Sequence, residues 1–121
     1  MSFAEDDLAR IRAAEEVEIE TQAPDGPAHR TIIWVVVDGD DTFVRSVMGA
    51  GGRWFREATA NPAVAIHVDG RRIPATAIPA TDPDSIDRIN AALTAKYTGI
   101  EGYDSMFAPA NLATNLRLEP A

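Results

Sequence analysis

The chain has 121 residues, the length of a single domain, and its 45% hydrophobic and 25% charged residues are typical of a folded globular protein. The net charge of -8 argues against a general nucleic-acid-binding surface, because phosphate contacts need clustered basic side chains. Without cysteine there are no disulfides, thiolate metal sites or cysteine nucleophiles, and two histidines are too few for a multi-histidine metal centre. No apolar run approaches the roughly 18–20 residues of a membrane span, and the N-terminus is acidic, so we expect a soluble cytoplasmic protein.

Charge is distributed unevenly along the chain. Residues 1–20 carry seven acids against two arginines, whereas residues 29–72 carry six arginines against five acids. Arginines concentrated in one stretch of an acidic protein suggest an anion site there. The alternative is scattered ion pairing at the surface.

The first half of the chain divides into a helix and three strands. Apolar spacing and turn residues predict a helix over residues 1–14 capped by Ser2, a half-buried strand over 17–21, a strand over 30–37 buried on both faces, and a hairpin partner over 42–47. The turn at 24–27 contains two prolines, which stop either neighbouring strand from extending.

The second half alternates helices and strands. The pattern predicts a short helix over residues 53–60, a hairpin of strands 63–68 and 71–80, a helix capped by Asp82, and a last strand over 112–118. Pro74 and Pro79 indicate that the 71–80 strand lies at a sheet edge or contains a bulge. Hairpins joined by short turns favour an antiparallel sheet that closes on itself, so we predict a mainly β fold, a small closed β-barrel with peripheral helices.

The clearest candidate site is a strand, a glycine-rich turn and a helix start. Backbone N–H groups at Gly51 and Gly52, the helix N-terminus and Arg53 form an arrangement that suits a phosphate. Arg30 and Arg45 are predicted on adjacent strands and therefore to converge on the same anion. The alternative is a flexible loop whose arginines face water.

Several segments together resemble one known pattern. These are Arg30–Trp34, Phe43-Val44-Arg45-Ser46, Gly52-Arg53-Trp54-Phe55-Arg56 ending at Ala60-Asn61-Pro62, and the tail from Ala95-Lys96-Tyr97 to Thr114–Pro120. Over roughly residues 15–120 the chain resembles the flavin/deazaflavin-dependent oxidoreductase split-barrel superfamily, which includes pyridoxamine-phosphate-oxidase-like proteins and deazaflavin-dependent nitroreductases. Within it, the chain is similar to a small subfamily of unassigned function.

The resemblance implies one split-barrel domain over 1–121, an FMN-binding split barrel-like fold with an N-terminal helix at 1–14 and a barrel with two inserted helices at 15–120. It also implies a homodimer with a flavin-type cofactor in a groove at the dimer interface. The strand segment Arg30, Thr31, Ile32 would line the cofactor ring. The ribityl chain and phosphate would meet Arg45, Ser46, Gly51, Gly52, Arg53 and Trp54.

The activity implied is hydride transfer between the cofactor and a small organic substrate, as in nitroreductases and quinone reductases, with catalytic residues unassigned. The helix that begins Gly52-Arg53-Trp54-Phe55 favours the deazaflavin F420, with FMN as the alternative. The turn Ala23–Pro27, with its acid Asp25, stands where deazaflavin-dependent members carry basic residues, so loss of the cofactor is a further alternative. Other hypotheses are a non-catalytic module that binds a ligand and a purely structural dimer.

Trp34, His67 and His29 are three further candidate site residues. Trp34 lies in a β-branched run and is predicted to be a core residue. His67 is predicted to be a structural histidine, and His29 to end a strand in solvent or to join the anion site. No spacing singles out a proton donor or a nucleophile.

Overall fold

Residues 2–121 are described by a computed structural model, in which seven strands and three α-helices form one layered unit. The strands are β1 (Glu16–Gln22), β2 (Ala28–Trp34), β3 (Val36–Asp38), β4 (Asp41–Arg45), β5 (Ala63–Val68), β6 (Arg71–Pro79) and β7 (Asn115–Pro120). The helices are α1 (Glu5–Ala13), α2 (Arg53–Ala60) and α3 (Pro83–Tyr97), with short 3-10 helices at Gly49–Gly51 and Asp104–Phe107. Within residues 2–121, no helix combines the length and the apolar character that crossing a membrane requires.

The strands form a single antiparallel sheet in the order β2-β1-β5-β6-β7-β4-β3. The two edge strands, β2 and β3, are consecutive in the chain and are separated by Val35 alone. The sheet curls into a half-barrel that is split between these edges, so the predicted split barrel with peripheral helices is confirmed. The predicted closed barrel is wrong in one respect. The sheet does not close on itself, because in the described chain no hydrogen-bonded ladder joins β2 to β3.

Two apolar clusters hold the fold together. The barrel cluster fills the concave side of the sheet and is sealed by α1 and α2; its members include Ile11, Ile19, Ala58, Ile66 and Leu118. The α3 cluster lies on the other side of β3 and β4; its members are Val36, Phe43, Ala80, Ile89, Leu93, Tyr97 and Met106. β2, β3 and β4 therefore lie at the boundary between the two clusters.

Local sequence signals correctly predicted where α2 lies and where α3 begins. α2 spans Arg53–Ala60 as predicted, and Asp82 caps α3 by accepting a hydrogen bond from the Ser85 N–H at 3.0 Å, with Pro83 in the first turn. The last strand begins at Asn115, three residues later than predicted. α1 begins at Glu5 after Ala4, which makes no side-chain cap, so the expectation that Ser2 caps it is wrong.

Two strand predictions are corrected by the sheet order. The predicted 30–37 strand breaks at Val35, and its first part is an edge strand with Ile32 63% exposed rather than a strand buried on both faces. β6, with Pro74 and Pro79, is internal, between β5 and β7. Pro74 is tolerated because the β7 ladder ends at Ala75, so its missing N–H leaves no ladder bond unmade.

Candidate functional site

An apolar cleft of about 360 Å³ opens beside the free edge of β2. It is bounded by β2, the end of β4, the start of α2, and the segment that follows α3. The lining residues are Glu16, Thr31, Ile32, Ile33, Trp34, Arg45, Val47, Met48, Trp54, Gly102 and Met106. A cleft that is mostly apolar with a few polar groups is suited to an aromatic ligand.

Both tryptophans of the chain line this cleft. Trp34 stacks on Tyr97 with ring centroids 4.1 Å apart and the planes nearly parallel, and its far edge lies 3.8 Å from where a Cβ on Gly102 would be. Trp54 is buried and packs edge-on against Phe55. Trp34 is therefore partly buried against the α3 cluster rather than the core residue that was predicted, and it also lines the cleft.

The Tyr97 hydroxyl contacts the backbone of Val35, which lies between the two edge strands β2 and β3. This hydroxyl lies 2.6 Å from the Glu15 carbonyl and 3.0 Å from the Val35 carbonyl, and it accepts the Val35 N–H at 3.2 Å. Burial raises the pKa of the Tyr97 phenol to about 12, so it stays a neutral hydrogen-bonding group. No signal in the sequence predicted these polar contacts of Tyr97.

Arg45 is almost fully buried and holds the segment between α3 and β7. Its Nε donates to Asn115 Oδ1 at 2.6 Å, Nη1 to the Met106 carbonyl and Nη2 to the Leu112 carbonyl, both at 3.2 Å. Burial lowers the pKa of the guanidinium to about 10. No carboxylate in residues 2–121 lies within ion-pair distance of it. Arg45 thus brings an uncompensated positive charge to the floor of the cleft.

The other predicted arginine of the pair, Arg30, lies elsewhere. Its Nη2 forms an exposed ion pair with Glu18 at 2.8 Å, and it does not line the cleft. β2 and β4 are not neighbours in the sheet, so the expectation that Arg30 and Arg45 stand on adjacent strands and converge is wrong. The physical reason is that β7 returns from the end of the chain to pair with β4.

The glycine-rich turn is a tight local structure. Ser46 is buried and donates to the Gly49 carbonyl at 2.8 Å, and a Cβ at Gly52 would lie 3.0 Å from the Ser46 hydroxyl. Gly51 is open to space on its Cβ side. Of the nine predicted site residues, Thr31, Ile32, Arg45 and Trp54 line the cleft, whereas Arg30, Ser46, Gly51, Gly52 and Arg53 do not.

Two exposed arginines stand where α2 begins. Arg53 Nη2 lies 3.5 Å from Thr31 Oγ1, a cleft residue, and Arg56 Nε donates to the Gly51 carbonyl at 3.2 Å. Within the described chain, neither has a carboxylate within ion-pair distance. These side chains could hold a phosphate outside the cleft, so the residues present fit a ring cofactor that carries a phosphate.

The buried carboxylate of Glu57 was missed by the sequence reasoning. It accepts a hydrogen bond from Thr21 Oγ1 at 2.7 Å and lies 3.0 Å from His29 Nδ1. The Thr21 bond, followed by that of His29, lowers the pKa of Glu57. This contact attaches α2 to the β1–β2 hairpin and so positions the helix start at the cleft.

The sequence matches the model of a bacterial family over residues 7–118, and the chain belongs to that family, described as "Uncharacterized protein conserved in bacteria (DUF2255)". No curated protein matches the chain in sequence.

Solved structures show the same fold. A putative pyridoxamine 5'-phosphate oxidase from Listeria innocua superposes with a TM-score of 0.69 at 16% identity, over 95% of this chain and 90% of that one. HutZ, the heme storage protein from Vibrio cholerae, gives 0.70 at 13% identity, over 100% and 92%. An F420-H2 dependent reductase (FDR-A) gives 0.65 at 14% identity, over 87% and 94%. At these identities the likeness establishes the split-barrel fold.

Proposed function

We propose that the cleft beside β2 binds the ring of a flavin-type cofactor, F420 in the first place and FMN as the alternative, and that the protein is an oxidoreductase acting on a small organic substrate. When bound, such a cofactor supplies hydride transfer, and the protein supplies binding and orientation. The resemblance of the sequence to flavin/deazaflavin split barrels, and the shared fold of an F420-dependent reductase, support this proposal.

The observation that carries the proposal is the composition of the cleft. Apolar side chains and the two tryptophans suit an aromatic ring, and buried Arg45 supplies a positive charge without a carboxylate partner in residues 2–121. A buried cation is stabilised by a nearby anion or electron-rich group. Asn115 Oδ1 and the Met106 and Leu112 carbonyls already accept three of its N–H groups. The carbonyl oxygens on the pyrimidine side of a flavin or deazaflavin ring would add a further acceptor for this charge.

The phosphate would lie outside the cleft, against Arg53 with Arg56 beside it. Arg53 already reaches Thr31, which lines the cleft, so ring and phosphate sites are continuous. Asp25, whose charge would oppose a polyanionic tail, lies in the 22–27 turn and does not line this cleft.

The cleft is open on one side, where large apolar side chains face solvent. Ile32 is 63% exposed, Val47 42% and Met48 76%. A patch of this kind beside an edge strand suits association with a second copy, and we propose a homodimer in which the partner covers the cleft. Light scattering at micromolar concentration should give twice the 13.0 kDa monomer mass; a monomer would contradict the dimer.

The test is a titration followed by intrinsic tryptophan fluorescence, since both tryptophans line the cleft. F420, FMN and heme are added separately to the apo protein, at low salt. We expect quenching by F420, weaker quenching by FMN, and none by heme, because in residues 2–121 no histidine lines the cleft. Quenching by heme alone, or by none of the three, would contradict the proposal.

Arg53→Ala and Arg30→Ala form a matched pair, since both arginines are exposed and only Arg53 reaches the cleft. Arg53→Ala should weaken cofactor binding about tenfold to hundredfold, the effect of one charge-assisted hydrogen bond, whereas Arg30→Ala should not. Equal effects would remove Arg53 from the site. If a cofactor binds but is never reduced or reoxidised with nitroaromatic or quinone substrates, the protein is the non-catalytic ligand-binding module instead.

A further inference from the structure

A second groove lies on the far side of α3 from the cleft. We call it the α3 groove; it has a volume of about 360 Å³ and lies between α3, β3 and the end of α1. Its apolar lining is Val36, Val37, Ala91, Ala92 and Ala95, and Arg12 and Lys96 bring two positive charges to it and Asp38 one negative charge. No part of the cofactor proposal uses this groove.

Lys96 is the only lysine of the chain, whose ten other basic side chains are arginines. It stands in the last turn of α3 and is half-buried. Its Nζ donates to the Val35 carbonyl at 2.7 Å, and in the described chain no carboxylate lies within ion-pair distance. The amine is therefore held in one position at an accessible groove without a neutralising partner.

The charged side chains near the Lys96 amine lie on α1, on the segment that follows α1 and on β3. Arg12 of α1 is exposed and donates to the Gly39 carbonyl at 3.0 Å, Glu15 follows α1, and Asp38 of β3 is bound by Arg88 at 2.6 Å. Burial, and then repulsion from Arg12, lower the pKa of Lys96 to about 8, while Glu15 acts in the opposite direction. At a given pH, Lys96 is therefore neutral to a larger extent than an ordinary lysine.

We propose that Lys96 is an acyl-acceptor amine, modified by small acyl phosphates whose phosphate is bound by Arg12 in the α3 groove. The amine nitrogen forms a bond to the acyl carbon, the bond from that carbon to the phosphate oxygen breaks, and inorganic phosphate leaves with the electron pair. The nitrogen loses a proton to solvent. The product is a neutral amide whose remaining N–H can still donate to the Val35 carbonyl.

The experiment exposes the full-length protein to acetyl phosphate, an anionic donor, and to p-nitrophenyl acetate, a neutral one, from pH 6 to pH 11. Acetylation is followed by peptide mass spectrometry. Lys96→Arg should remove the label from this site. With p-nitrophenyl acetate, the rate at Lys96 should be half-maximal near pH 8. A midpoint above pH 10 would overturn the proposal.

Arg12→Gln and Arg10→Gln separate the phosphate-binding role from a general loss of charge. Both arginines lie on α1, but Arg10 pairs with Asp7 and does not line the groove. Rates are compared at high pH, where the amine is neutral in every variant. Arg12→Gln should slow acetyl phosphate about three- to fivefold, the effect of an exposed ion pair, and leave p-nitrophenyl acetate unchanged. Arg10→Gln should change neither rate. If Arg12→Gln slowed both donors equally, or neither, the proposed site would be wrong.

Discussion

The inside of the barrel and the α3 side of the sheet are stabilised in different ways. The barrel cluster is made of interlocked aliphatic side chains such as Ile19 and Ile66, which are fully buried. The α3 side also contains apolar residues, but its loops are held by a few directional contacts from Arg45, Tyr97 and Lys96 to backbone carbonyls.

The difference matters because apolar burial is non-directional, whereas each hydrogen bond on the α3 side holds a particular segment. Arg45 holds residues 106–115, and Tyr97 holds Val35 between the two sheet edges. Met106 of the first segment and Trp34, which precedes Val35, line the cleft. We therefore expect substitutions in the barrel to alter global stability, and those on the α3 side to alter the cleft first.

The largest effect should come from Ile66→Ala in the middle of β5. Removing three buried carbons leaves a cavity in the barrel cluster and should lower the free energy of unfolding by about 3–4 kcal/mol. Urea unfolding measures this change, and hydrogen exchange of residues 104–113 should be no more affected than that of the strands. Selective exposure of that segment would contradict the proposed division.

Arg45→Met should cost about 2–3 kcal/mol, because Asn115 and two carbonyls lose their donor while the desolvation cost of the guanidinium is also removed. Here we expect hydrogen exchange to increase first in residues 104–113, before the barrel strands. Arg45→Lys keeps the charge but not the forked donors, and should give the same local effect. A uniform loss of protection would show that Arg45 does not hold this segment specifically.

Tyr97→Phe should lower stability by about 1–2 kcal/mol, since the buried Val35 N–H loses its acceptor. Tyr103→Phe is the matched control, because the Tyr103 hydroxyl meets only the exposed Thr94 hydroxyl among described partners, at 2.9 Å. That control should change stability by less than about 0.5 kcal/mol. Similar losses for both variants would argue against a special role of the Val35 contact.

The smallest effect is expected on the outer face of the barrel, at Glu20. Hydrogen bonds from Arg72, then His67, lower the pKa of this carboxyl from 4.5 to about 2. A depressed carboxyl pKa stabilises the fold above the unfolded value, and this contribution is lost as the pH falls from about 5 toward 2. Glu20→Gln should not show this loss of stability in acid. We expect the difference in the free energy of unfolding to be less than about 1 kcal/mol, because the site is partly exposed. Glu18→Gln, which removes an exposed pair with Arg30, is the comparison; identical acid curves for wild type and Glu20→Gln would refute the coupling.

Local sequence determined most of the secondary structure. Asp82 and Pro83 begin α3, Asn61-Pro62 ends α2, and Asp69-Gly70 turns β5 into β6 with positive φ at both residues. These features depend on residues within a few positions of each other, so their physical preferences can be recognised without knowing the rest of the fold.

The tertiary structure decided which partners each side chain contacts. The pattern around Arg45 predicted a phosphate ligand beside a glycine-rich turn. In the structure, three of its five N–H groups donate to the Met106 and Leu112 carbonyls and to Asn115 Oδ1, which lie 61 to 70 residues away. No motif marked that segment, although Gly102 and Met106 complete the cleft.

What the sequence by itself determined is therefore the three helices, most of the strands and four of the cleft residues, Thr31, Ile32, Arg45 and Trp54, while its resemblance to known proteins gave the split-barrel class. Only the tertiary structure decided that β2 and β3 are the free edges, that β6 is internal, and that Arg30 faces away from the cleft. The physical reason is that strand order depends on pairing between distant segments, here β7 with β4 and β6, and such pairing leaves little trace in local spacing.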